Sequence, residues 1–255
     1  MSCAYAVATD TGLQRANNED SARVVPELGL YLIADGMGGH IAGEVASQVA
    51  SDAMAAAVAA QPPPKRIRDK QEIMRNAIIA ANEAVMREGS RRSLNGMGTT
   101  LTGLCITRRT ATISHVGDTR AYFVRAKTLD PITTDHTMVS MLVAMGSVRP
   151  EDVIDHPDKH LLTQAIGTQG DIEPQVLQKR IPRDCRILLS TDGLHDYVQP
   201  TEIHAIASRG TLEGAAQALI DAANGQGGLD NITVILIDPN QARAAQAESH
   251  PGGQE

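Results

Sequence analysis

Three kinds of spacing alternate along the chain. Short runs of aliphatic and β-branched residues mark strands at 3–9, 21–25 and 28–36, the last being the almost unbroken apolar stretch LGLYLIADG, which stops at Asp35. A helical spacing follows over 41–60, where Ile41, Val45 and Val49 recur every fourth position with Ala42, Ala46, Ala53 and Ala57 beside them. It ends at QPPPKR, because proline lacks the donor a helix needs and clashes with the preceding turn. A second amphipathic helix is expected over 70–88, turning Ile73, Ala77, Ala80, Ala81 and Ala84 inward, and GSRRSLNGMG (89–98) reads as a loop.

The middle of the chain is β-rich. Residues 99–108, 110–117 and 119–126 form three successive strands whose short connections predict an antiparallel meander. Residues 137–160 break that pattern with a short helix (MVSMLVAMG) and the polar stretch RPEDVIDHPDKH, an insertion expected to be mobile and close to any site. Strands return at 175–181 and 185–190, helices at 200–207 and 212–223, and a buried strand at 231–238. The polar tail 239–255 is expected to be disordered. Helices thus come in an early and a late pair around β-rich sequence. The expected fold is α+β: a four-layer α-β-β-α sandwich in which two packed antiparallel sheets are flanked by helix pairs, as one domain over 1–238.

Composition narrows the function classes. The chain has 255 residues, 42% of them hydrophobic and 21% charged, enough for one sizeable core. Aromatics are only 2%, so Val, Ile, Leu, Met and Ala must fill it. A formal net charge of −7 argues against a general nucleic-acid binder. Cys3, Cys105 and Cys185 form no CxxC pair, and Cys105 and Cys185 read as small core residues. There is no secretory leader pattern at the start and no stretch of about 18 uninterrupted apolar residues, so a cytoplasmic protein without a membrane span is expected.

The candidate chemistry lies in aspartates placed where apolar runs stop or start: Asp20 in NNED, Asp35 in DGMGGH, Asp118 in VGDTR, Asp192 in STDGL and Asp230 in LDN. Carboxylates gathered from such distant positions repel unless a cation neutralises them, and hard divalent ions take oxygen ligands. A two-metal hydrolytic centre follows, with phosphoryl chemistry its natural use. Asp35 is the keystone, and Gly36 after it is expected to let the backbone turn and aim a carbonyl at the ions. Asp192 and Asp230 are its partners. Asp118 ligates a further ion or caps its turn. Glu19 and Asp20 hold metal-bound water or touch metal directly, and the Arg15 fork matches phosphoryl oxygens or forms a surface ion pair.

The ordered series TDTGLQRANNEDS, LIADGMGGH, GMGTTL, VGDTRAY, TTDHT, HLLTQAIG, LLSTDGLHD and DNITVIL resembles the bacterial metal-dependent serine/threonine protein phosphatases of the 2C type. The resemblance implies two or three Mn²⁺ or Mg²⁺ ions at one end of a β-sandwich. Asp35 would bridge two of them, the Gly36 carbonyl would bind one, and Asp192 and Asp230 would hold the other. Asp118 would serve a third, weaker ion, Arg15 the substrate phosphate, and Glu19 with Asp20 the bound water. Residues 137–160 would be the flap that touches substrate. Two positions depart from many relatives: Gln164 stands where they carry Arg, and Thr137 where they carry Ser.

On this reading a hydroxide bridging the two metals attacks phosphoserine or phosphothreonine directly, without a covalent phosphoenzyme, and no CxxxxxR loop is present to suggest one. His40 is the nearest sequence candidate to protonate the leaving alkoxide, with metal-bound water or a packing role for His40 as the alternatives. The expected partners are phosphoproteins made by a Ser/Thr kinase, with neither nucleic acid nor membrane, and the protein is expected to be a monomer. Two rivals remain: a pseudophosphatase that only binds phosphoproteins, and an ATP-binding fold of the histidine-kinase type suggested by DGMGG.

Overall fold

The structure is a computed structural model that describes residues 3–38, 41–62, 64, 66–94, 96–153, 156–168 and 171–242. Its order is β1 (Cys3–Asp10), β2 (Asp20–Val25), β3 (Leu30–Met37), α1 (Ile41–Ala59), α2 (Asp69–Arg92), β4 (Gly98–Thr99), β5 (Leu101–Thr107), β6 (Thr110–Val116), β7 (Arg120–Val124), β8 (Leu129–Pro131) and α3 (Met138–Ala144). Then come β9 (Gln175–Arg180), β10 (Arg186–Ser190), α4 (Asp192–His195), α5 (Pro200–Ala207), α6 (Leu212–Gly225) and β11 (Ile232–Ala242).

Two antiparallel sheets pack face to face. One has the order β1-β11-β10-β7-β8, the other β2-β3-β5-β6-β9 with β4 beside β3. Alternation along the strands sorts side chains between layers. On β3, Leu30, Leu32 and Ala34 face α1 and α2, while Tyr31 and Ile33 meet Ile187, Leu189, Ile235 and Ile237 of the other sheet. On β11, Val234 and Leu236 face α5 and α6. Strands buried on both faces must be apolar throughout, which is why LGLYLIA has no polar phase. The four-layer α-β-β-α arrangement expected from the element order is the one observed.

Several local expectations need correction. The strands at 99–126 do not form one meander: β5 pairs β6, but β7 pairs β10 and β8 in the opposite sheet. The chain changes sheets at Gly117, whose φ of 107° opens the turn. The second helix continues past Glu88 to Arg92, because Glu88 binds both Arg91 and Arg92 across one turn and Ser93 closes the helix in the left-handed region. Its buried face centres on Met74, Ile78 and Val85, with Ala80 and Ala84 only half-buried. In α1 the deeply buried positions are Ala46, Ala50 and Met54, while Val45 and Val49 lie at the margin. The last strand runs past 238 to Ala242, and residues 243–255 lie outside the described residues.

Candidate metal centre

Both sheets deliver carboxylates to the same end of the sandwich. Asp20 opens β2 directly opposite Asp35 on β3. Asp192 begins the one-turn α4 immediately after β10, Asp230 stands just before β11, and Asp118 lies in the passage between the sheets. This end holds a cleft of about 620 Å³ lined by Arg15, Glu19, Asp35, Gly36, Asp118, Asp192 and Asp230. Its other wall is the stretch from His160 to Ala165, which begins at the last residue of the insertion 137–160. Asp20 does not line the cleft, and His40 lies outside the described residues.

Hydroxyls and one amide fix these acids. Asp35 is held through its backbone: its N–H donates to Thr100 Oγ1 at 2.9 Å, and its carbonyl accepts from Thr100 N at 2.8 Å and Thr99 Oγ1 at 2.8 Å. Thr191 Oγ1 donates to Asp20 Oδ2 at 2.9 Å and accepts from Thr233 N at 3.0 Å. Asn231 Nδ2 donates to the carbonyls of Thr11 (2.8 Å) and Asn17 (2.9 Å), and its Oδ1 accepts from Glu19 N at 2.8 Å. That side chain locks the Arg15 loop onto the start of β11. Arg15 Nη2 pairs with Asp230 Oδ2 at 2.7 Å while half of its side chain stays exposed.

The reason for a glycine at 36 differs from the sharp turn expected. It lies inside β3, paired with Thr99, and β3 continues to Met37 rather than stopping at Asp35. A β-carbon there would collide with the carbonyls of Gly43 and Glu19. Glycine is required because α1 and the Glu19 loop approach the strand edge-on, not because the chain bends sharply.

The electrostatics are those of an acid cluster short of positive charge. Burial, then the charges of Asp192, Asp20 and Asp118, holds the Asp35 carboxyl well above the usual carboxylate range. Asp118 is raised likewise, by burial and then by Asp192, Asp135 and Asp196. Burial and the Asp230 and Asp196 charges push Asp192 to about 6. Asp20 reaches about 7 through burial, despite hydrogen bonds from Thr233 and Thr191 that favour its ionised form. Asp20 Oδ1 and Asp192 Oδ1 are buried with no hydrogen-bond partner among the described residues. Buried oxygens of this kind cost free energy unless something satisfies them. The donors are all hard oxygens, so a divalent cation of the Mg²⁺ or Mn²⁺ type fits both the charge and the orphaned atoms.

Sequence reasoning missed several participants. Thr99, Thr100, Thr191 and Asn231 stand within the quoted motifs, but their neutral side chains drew no attention beside the acids. Asp196 and His160 were also missed. His160 Nδ1 lies 3.1 Å from Asp196 Oδ2 and 3.9 Å from Asp192 Oδ2, and donor atoms of these three residues fall within 4.8 Å of one another. The ATP-binding alternative finds no support here, since Asn17 and Asn18 precede strand β2 instead of lying on a helix.

Comparison with known proteins agrees with this geometry. The family model for protein phosphatase 2C matches residues 14–222. The serine/threonine phosphatase stp of Listeria welshimeri is 35% identical over 237 residues, covering 91% of this chain and 94% of its own. The crystal structure of the Mycobacterium tuberculosis serine/threonine phosphatase PstP/Ppp superposes with a TM-score of 0.86 at 36% identity, covering 93% of this chain and 99% of that one. The catalytic domain of PstP in complex with two manganese ions superposes with a TM-score of 0.81 at 35% identity, over 93% and 98% of the two chains.

Proposed function

The chain belongs to the protein phosphatase 2C family, and from that membership we infer that it is a metal-dependent serine/threonine protein phosphatase. The observation that carries this reading is the convergence of Asp35, Asp118, Asp192 and Asp230 on one cleft, with buried unpartnered oxygens on Asp192 and Asp20, beside a half-exposed arginine. Asp35, the Gly36 carbonyl, Asp192 and Asp230 are proposed to hold two cations, and Asp118 a third. Mn²⁺ or Mg²⁺ in such a centre supplies Lewis-acid activation of water and neutralises phosphoryl charge.

The chain's own residues account for the rest. Arg15 reaches the cleft from the loop locked by Asn231, and its fork can exchange Asp230 for phosphoryl oxygens when a phosphoester enters. Glu19 lines the cleft, and the buried Oδ1 of Asp20, without a partner among the described residues, is proposed to help it order water for in-line attack on phosphorus. The intact set of acids favours catalysis over a role as a binding module. Phosphoproteins made by a Ser/Thr kinase, a monomeric state and a cytoplasmic location complete the proposal. Among the described residues no helix is long and apolar enough to cross a membrane.

Hydrolysis of p-nitrophenyl phosphate and of a phosphothreonine peptide tests the reading. Turnover should require Mn²⁺ or Mg²⁺ and vanish in excess EDTA. Full activity in EDTA would overturn it, and metal binding without turnover of any phosphopeptide would favour the pseudophosphatase.

A further inference from the structure

The motif TTDHT contributes no carboxylate to the cleft, yet it is stitched to the turn that carries Asp118. Every backbone polar group of His136, together with one ring nitrogen, is engaged. Its N–H donates to the Gly117 carbonyl at 2.7 Å, and its Nδ1 accepts from the Gly117 N–H at 3.3 Å. Its carbonyl accepts from Thr163 N at 2.8 Å. One residue thus clamps both polar groups of Gly117, the neighbour of Asp118, and also holds a residue of the opposite cleft wall.

Adjacent contacts reinforce the clamp. Arg120, just past Asp118, forms a two-pronged bond to Asp135, with Nε at 2.9 Å and Nη2 at 2.6 Å from Oδ2. The His136 ring lies 4.9 Å from that of His115, which is buried and fixed by Thr102 Oγ1 at 2.8 Å and the Thr134 carbonyl at 3.2 Å. Beyond His136, the Met138 N–H donates to the Leu161 carbonyl at 2.8 Å, closing the base of the flap. Gly117 itself leaves little slack, since at φ 107° a β-carbon would strike Thr100, the residue that holds Asp35.

We propose that His136 is a positioning residue that sets the place of the Asp118 carboxylate and couples it to the cleft wall at Leu161–Thr163. The inference rests on the reading of Asp118 as a cation ligand. Because the Gly117 N–H points at Nδ1, the ring proton sits on Nε2 and the imidazole is neutral, in keeping with the burial that lowers its pKa. A residue present only to fill space would tolerate any side chain of similar volume. A positioning residue needs an acceptor where Nδ1 stands.

Three variants separate these roles. His136→Asn offers its amide oxygen near the Nδ1 position, His136→Gln fills the space but presents its amide near Nε2, and His136→Ala removes both. Mn²⁺ titrations followed by electron paramagnetic resonance of the free ion give the affinity of each class of site. The weakest-bound Mn²⁺ should lose roughly tenfold or more in affinity in the Ala and Gln variants, with the tighter ions unaffected, and Asn should restore most of it. Equal titrations for Asn and Gln would overturn the proposal, and that pair decides the matter even if the Ala variant does not fold. Asp118→Asn is the separate control. If it leaves the Mn²⁺ titration unchanged, the reading of Asp118 as a ligand fails and the proposal falls with it. If it weakens binding while Asn and Gln at 136 match, only the positioning role fails.

Discussion

The two ends of the sandwich are made by the same strands and solve opposite problems. At the cleft end, Asp20, Asp35, Asp118 and Asp192 are drawn together with raised pKa values and with unpartnered oxygens on Asp20 and Asp192. At the far end the turns carry arginine and lysine. Arg186 donates to the carbonyls of Ala207 (3.0 Å), Arg209 (3.0 Å) and Gly210 (2.6 Å), and Arg109 to those of Ile181 and Pro182. Arg66, Arg68, Arg108, Lys179, Arg180 and Arg183 are exposed to water there. The far end ties its main-chain carbonyls to arginine side chains and so supports the fold. The other leaves carboxylates under strain, a cost that natural sites carry where chemistry requires it.

The strongest way to break the contrast is Asp35→Asn. Metal-dependent hydrolysis should fall by more than roughly a hundredfold, while the metal-free protein gains about 1 kcal/mol or more because a buried carboxyl that must take up a proton on folding is gone. Phosphatase assays and thermal melts in EDTA check the two halves. Loss of both activity and stability would show that Asp35 is needed for folding.

A second prediction concerns pH. Asp20 sits at about 7, and Asp35 and Asp118 lie well above the usual range, so the folded metal-free protein keeps protons that the unfolded chain releases near pH 4. Stability from these groups is therefore lost as pH rises through their folded values. Buried His115, at about 3, His136 and His195 act in the opposite sense, up to about a unit above the ordinary histidine pKa of about 6.5. Above about pH 7.5 the histidines no longer oppose the carboxylates. Melting in EDTA should occur at lower temperature at pH 8.5 than at pH 7.5, and saturating Mn²⁺ should remove the difference. A melting point independent of pH in EDTA would mean that the acids are not strained.

The smallest effect belongs to the far end. Arg180→Ser should change stability by no more than about 0.5 kcal/mol and leave turnover of p-nitrophenyl phosphate unchanged. A larger loss would mean that this end too carries function.

These two ends were unequally legible in the sequence. Strand-end aspartates stand out because each interrupts an apolar run, and Asp35, Asp118, Asp192 and Asp230 do line one cleft. What the sequence hid was relational. A run such as TRAYFVRA shows that β7 is a strand but not which sheet it joins, so the crossing at Gly117 was invisible. Gly36 looked like a turn residue because Asp-Gly usually is one. Its true constraint, the close approach of Gly43, involves a residue in another element. Thr100, Thr191 and Asn231 act through neutral hydrogen bonds, which have no spacing or charge signature. The extension of α2 to Arg92 depends on Glu88 meeting two arginines, a local pairing that the Gly-Ser-rich composition masked.

The pairing of β1 with β11 has a consequence for how the protein is made. Among the described residues β1 is an edge strand paired in its sheet with β11 alone, so it leaves the ribosome long before its partner is synthesised. Asn231, which locks the Arg15 loop, arrives in that same final stretch. A nascent chain stalled before residue 230 carries Arg15, Asp20, Asp35, Asp118 and Asp192, yet it has nothing to close them into a site. Closure of the site thereby waits for the synthesis of β11.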